Sequence, residues 1–295
     1  TRILFLTVLF LALTIVLAIF GLVIASVFKN YPQAIFPCLI QIPLAVIIGV
    51  TIHRKGANIL IPSLVSLALM YLTVAFGDLG SLGNFNEYLG GDPSNPDSNG
   101  LSVISWVMLL LGYSYIASVL PVWTLLQPRD YINSLQLLSA LGLVVLGLVA
   151  ACFFGGAALT PGAERPALEI VAPAFNFSPE GAPSIFPFLF ITIACGAISG
   201  FHCLVSSGTT SKQLKCESDA QLVGYGSMLT EGFLAVLVIL ACISGLGLGT
   251  GTGESFISGS AAFEARYASW DAAKGLGAKV GAFVEGSANF LKSLG

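Results

Sequence analysis

The stretch Ile3–Phe28 reads ILFLTVLFLALTIVLAIFGLVIASVF. No Asp, Glu, Lys or Arg interrupts its 26 residues. As a helix they would extend about 39 Å, enough to cross a hydrocarbon core roughly 30 Å thick. Six further apolar runs follow: Ala34–Ile52, Ala57–Phe76, Leu101–Trp123, Ser134–Gly156, Ile185–Val205 and Leu222–Leu248. None alternates polar and apolar residues as a membrane β-strand would. The expected fold is therefore all-α, a polytopic bundle of about seven membrane spans over residues 1–248. Residues 249–295 should form a linker and tail outside the cytoplasm.

Composition agrees with that reading. Of 295 residues, 56% are hydrophobic and only 9% charged, with a mean hydropathy of +0.90. Soluble domains carry about 25% charged residues, so a soluble enzyme and a disordered chain are excluded. A formal net charge of −3 offers no basic field for nucleic acid. Of the 27 charged residues, Glu231 alone lies inside the seven runs. A charge at the bilayer centre costs at least about 2.5–3.5 kcal/mol, which explains the segregation.

The sorting of the remaining charges gives an orientation. Arg2, Arg54, Lys55, Arg129, Lys212 and Lys215 fall on one side, Lys29 and Arg165 on the other. The positive-inside rule puts the first side in the cytoplasm. The polar loops 77–100 and 157–184 are then external. In the tail, Phe263, Tyr267, Trp270, Phe283 and Phe290 stand among scattered charges. That pattern suits one or two amphipathic helices at the membrane surface for its middle, while its end reads as leading into a further span. Five of the six cysteines lie in apolar runs and read as reduced, buried thiols.

Residues that break the apolar pattern mark the candidate site. Glu231, the tenth residue of its run, is expected to bind a proton or substrate; the alternative is a carboxylate hydrogen-bonded to a neighbouring helix. His202 can shuttle protons near neutrality, or serve only at the interface. Ser206, Ser207, Gly208, Thr209 and Thr210 follow it, small and polar enough for an unwound, cavity-lining segment. Gly196 and Gly200 form a GxxxG spacing that permits close helix contact. Gln127, Arg129 and Asp130 sit after the fourth run and read either as a cytoplasmic gate or as a positive-inside anchor. Pro121 should kink its helix, as should Pro37 and Pro43. There is no Walker A sequence, HExxH, metal-ligand cluster or GxSxG, so no cofactor, no metal and no enzyme activity are expected.

Three longer runs carry a family resemblance. They are LPVWTLLQPRDYINS from Leu120 to Ser134, PFLFITIACGAISGFH from Pro187 to His202, continued by LVSSGTTSK to Lys212, and VGYGSMLTEGFLA from Val223 to Ala235. In this order and spacing the chain closely resembles the carbon starvation protein A family, from its first run to about Leu248. The resemblance weakens in the external loops and the tail. It implies a secondary transporter in a prokaryotic inner membrane, taking up peptides or pyruvate, with protons as the coupling partner. It also implies inverted repeats and broken helices of the amino acid–polyamine–organocation type. Beginning at Thr1, the sequence reads as a central portion of a longer transporter. The alternatives are a non-transporting sensor or assembly protein, or an inactive fragment.

Overall fold

The computed structural model describes residues 2–56, 58–91, 100–157, 165–177, 181–197, 206, 210–251 and 256–294, without the side chains of Lys55, Cys195, Ala272 and Leu276. The architecture is all-helical. Four helical segments are long and apolar enough to cross a membrane among the described residues: Arg2–Asn30, Pro32–Arg54, Leu126–Phe154 and Asp219–Leu248. A fifth is reached if a helix pair bent by 79°, Leu60–Ala75 with Gly80–Gly90, counts as one span. The chain divides into two compact units, Thr1–Ala140 and Leu141–Gly295.

The first unit opens with α1 (Arg2–Asn30). It is apolar all round, and side chains such as Ile3, Phe10 and Ile19 point outward, at 82%, 62% and 54% exposure. Such a surface is stable against lipid, where exposed apolar groups cost nothing. Only its last turns pack inward. Ala25 and Phe28 are buried, and the Phe28 ring meets the edge of Trp106 at 5.0 Å. Gly21 lies where a Cβ would touch Val107 at 3.6 Å.

A 3₁₀ turn, Pro32–Ala34, leads into α2 (Ile35–Lys55). Pro37 lies in the first turn of α2, where backbone N–H groups have no intrahelical partner, so it interrupts no bond. Pro43 alone lies in the helix interior. Helix α3 (Leu60–Ala75) follows, then α4 (Gly80–Gly90). The sequence reading made this region a polar loop. It is helical because its amphipathic side finds a seat: the Phe85 and Phe36 rings meet edge-on at 5.6 Å. Buried Asn86 accepts from the Phe36 N–H at 3.0 Å and donates to the Gly77 carbonyl at 3.0 Å.

Helix α5 (Val103–Val119) is capped by the Ser102 side chain. It stops before Pro121, which therefore terminates the helix instead of kinking it. Leu120 takes an extended ψ of 148°, the conformation that a following proline imposes. Helix α6 (Leu126–Phe154) begins two turns earlier than the apolar run suggests.

The second unit contains the later part of α6, α7 (Phe190–Ala197) behind a π-type turn at Ile185–Leu189, and α8 (Asp219–Leu248). Within α8 lie two π-type turns, Leu222–Gly226 and Ala241–Gly245, and a closing 3₁₀ turn, Leu246–Leu248. The tail supplies α9 (Ser260–Arg266) and α10 (Leu276–Lys292). Helix α10 rests a face on protein: Phe290, with no exposed surface, packs with Ala151, Ala241 and Leu248.

Candidate functional site

Helix α8 presents Ala220, Val223, Gly224, Ser227, Met228, Glu231, Gly232 and Ala235 to a single cavity of about 1070 Å³. Their spacing of three and four residues is that of one helical face. The opposite wall comes from Gly196 and Ala197 at the end of α7, from Ser206, and from Thr210, Ser211 and Leu214. The volume is at the upper limit of the roughly 300–1,000 Å³ usual for small-molecule pockets.

The wall has a simple chemistry. Small residues let the helices stand apart without filling the space between them. Hydroxyls of Ser206, Thr210, Ser211 and Ser227 offer donors and acceptors. Glu231 is the one ionisable side chain among the described residues lining the cavity. It is exposed toward that space. Thr230, next to it, donates its hydroxyl to the Gly226 carbonyl at 3.0 Å. That bond occupies a carbonyl at the π-type turn, where the regular ladder slips.

Of the residues singled out in the sequence, Glu231, Ser206, Thr210 and Gly196 thus meet around one space. His202, Ser207, Gly208, Thr209 and Gly200 lie outside the described residues. Gln127, Arg129 and Asp130 belong to the first unit and do not line this cavity. Arg129 makes its hydrogen bond elsewhere than to its neighbour Asp130. Its Nη1 donates to the Tyr113 hydroxyl of α5 at 3.3 Å, and Asp130 is exposed. Tyr113→Phe should accordingly lower stability by about 1 kcal/mol, read as a drop in melting temperature of the detergent-solubilised protein. An unchanged melting temperature would make the contact incidental.

Sequence reasoning passed over two features of the first unit. Gln41 of α2, buried at 9% exposure, donates its side-chain amide to the Asn133 side-chain oxygen of α6. Polar amides inside apolar runs carry no charge, so a count of charged residues misses them. His53 stacks on Trp123 at 4.1 Å and 16°. The signal available was a histidine at a helix end and a tryptophan two residues after a helix-ending proline.

A family model for carbon starvation protein CstA matches residues 1–252. The chain belongs to this family. A peptide transporter CstA of Mycobacterium tuberculosis is 37% identical over 229 residues, covering 77% of this chain and 28% of the relative. A peptide transporter CstA of Helicobacter pylori is 34% identical over 224 residues, 75% of this chain and 29% of the relative. A pyruvate/proton symporter BtsT of Escherichia coli is 32% identical over 234 residues, 79% of this chain and 30% of the relative. The chain thus spans under a third of the length of these relatives. No solved structure matches it. The long apolar helices and the transporter relatives together make this carbon starvation family member a multi-pass membrane protein.

Proposed function

We propose that the chain is the part of a carbon-starvation-type secondary transporter that carries the solute and proton site, and that the transporter takes up peptides or pyruvate with protons. The observation that carries this reading is the cavity in which Glu231 faces the hydroxyl-bearing residues Ser206, Thr210 and Ser227. An acid at membrane depth is costly and faces a wet space or a partner, so its presence beside such hydroxyls favours binding over packing. In the mechanism, Glu231 holds the coupling proton or a substrate ammonium. The hydroxyls, with His202, Ser207 and Thr209 from the same segment, orient the solute's polar ends. The π-type turns and the end of α7 supply the broken-helix geometry that such carriers use at their binding sites.

The membrane is the prokaryotic inner membrane, with seven spans in the chain and its Lys- and Arg-rich loops in the cytoplasm. Inverted repeats of the amino acid–polyamine–organocation type organise the whole protein. Gln127, Arg129 and Asp130 act at the cytoplasmic gate.

The test is uptake of labelled dipeptide and labelled pyruvate into proteoliposomes of the full-length transporter, with and without an inward proton gradient. Gradient-driven uptake of one of them is the expected result. Uptake of neither overturns the reading.

A further inference from the structure

The far end of α8 is taken apart in an orderly way. After the π-type turn Ala241–Gly245 and the 3₁₀ turn Leu246–Leu248, the chain leaves the helix at Gly249, whose φ of +131° only glycine adopts readily. Leu246 and Leu248 are buried, at 0% and 4% exposure. Carbonyls freed by the broken ladder therefore face protein instead of water, and each needs a donor.

Donors arrive from three directions. The Val171 N–H bonds the Ile243 carbonyl at 2.9 Å, and the Gly259 N–H bonds the Gly247 carbonyl at 2.7 Å. The third donor is a side chain. Asn289 of α10, 9% exposed, gives its Nδ2 to both the Gly245 carbonyl at 2.9 Å and the Gly249 carbonyl at 2.7 Å. The helix that brings it lies backbone to backbone on α8. A Cβ on Gly286 would collide with the Ala241 carbonyl, and one on Gly245 would stand 2.6 Å from the Gly286 carbonyl. Asn289 thus spans the break, with one bond inside the last π-type turn and one beyond it.

We propose that α10 is a clamp on the broken end of α8, and that Asn289 is a positioning residue that fixes the helix carrying Glu231 for solute binding. The proposal rests on the reading of Glu231 as part of the binding site. Asn289 lies at the other end of α8 from that site and acts through the helix. With the break held, α8 can change its tilt only at the Leu222–Gly226 turn, so Glu231 returns to one position on the cavity wall. Without the two bonds, α8 samples several positions and only a fraction of molecules binds solute. The apparent KM then rises by the inverse of that fraction while the maximal rate is retained.

The experiment uses the full-length transporter in proteoliposomes with whichever of labelled dipeptide or pyruvate the wild type takes up. Asn289→Ala and Asn289→Asp, which loses the donor while keeping the shape, are expected to raise KM by about tenfold with maximal rate within about twofold. Asn289→Ser, which keeps one small donor, should lie between them and the wild type. It serves as the reading if the other two do not fold. Hydrogen exchange should accelerate at the amides of Gly249 and Gly259 in the same variants. A lowered melting temperature with KM unchanged would leave Asn289 as a packing residue and overturn the positioning role. A wild type that takes up neither solute overturns the transport reading, and the clamp's role with it.

Discussion

Glu231→Gln in the full-length transporter is expected to raise the apparent KM for uptake by roughly 10- to 150-fold, or to abolish uptake at low solute. The estimate follows from the energy of a hydrogen bond to a charged group, about 1.5–3 kcal/mol, with every 1.4 kcal/mol a factor of ten. The substitution keeps the size and polarity of the side chain and removes only its charge and its capacity to take up a proton. Gln at this position lines the same cavity, so loss of packing does not account for a loss of uptake. If Glu231 carries the coupling proton, the variant also loses the dependence of uptake on the proton gradient while retaining solute exchange. If it holds a substrate ammonium, exchange is lost as well. Wild-type kinetics in Glu231→Gln would remove the residue from both roles. Ser227→Ala, on the same helical face one turn away, should have a smaller effect, because it deletes a neutral partner.

Gly49→Val should cost about 3 kcal/mol of stability, the upper end of the usual cost of overpacking. A Cβ at Gly49 would stand 2.5 Å from the Thr124 carbonyl oxygen and 2.7 Å from that of Trp123, with Pro128 Cγ at 3.1 Å. Two of these neighbours are backbone atoms of the turn between α5 and α6. They cannot rotate away as a side chain could, so α2 must separate from that turn. The His53–Trp123 stack lies one helical turn further along α2 and would open with it. The measurement is the melting temperature of the solubilised protein, with Trp fluorescence reporting the turn. Gly112→Ala is the control, since nothing stands within 4 Å of its Cβ position. It should melt like the wild type. Equal melting of Gly49→Val and wild type would show that the close approach has slack.

Long helices could be read from sequence because lipid imposes one rule over many residues at once. The 26 uncharged residues of Ile3–Phe28 sit within the single helix α1, and Glu231 stood out against that same rule. Where the outcome depends on a neighbour, the rule is silent. Helix α4 contains three glycines and two asparagines, and is held largely by Phe36, whose N–H Asn86 accepts across 50 residues of sequence and whose ring Phe85 touches. Pro121 looked like a kink because its run continued to Trp123, yet the backbone of Leu120 had already left the helix. Arg129 and Asp130 are adjacent in sequence, but Tyr113, sixteen residues away, takes the hydrogen bond. The candidate cavity was legible as a set of residue types. Its common helical face was implicit in the spacing from Ala220 to Ala235. The bond from Asn289 to two carbonyls of α8 had no sequence signal beyond a polar residue in an amphipathic helix.

The π-type turn at Leu222–Gly226 has a bearing on how relatives of this chain should be aligned. A turn of that kind accommodates about one residue more than an α-helical turn, and each residue of an α-helix advances about 100° around the axis. A relative with one residue fewer there could close the turn into a regular helix and keep its hydropathy profile unchanged. Its carboxylate would then keep its place on the cavity wall, because the wider turn had taken up the extra residue. Within this turn an alignment gap of a single residue leaves the wall in register, whereas the same gap in the regular helix between Ser227 and Glu231 would swing the carboxylate about 100° around the axis.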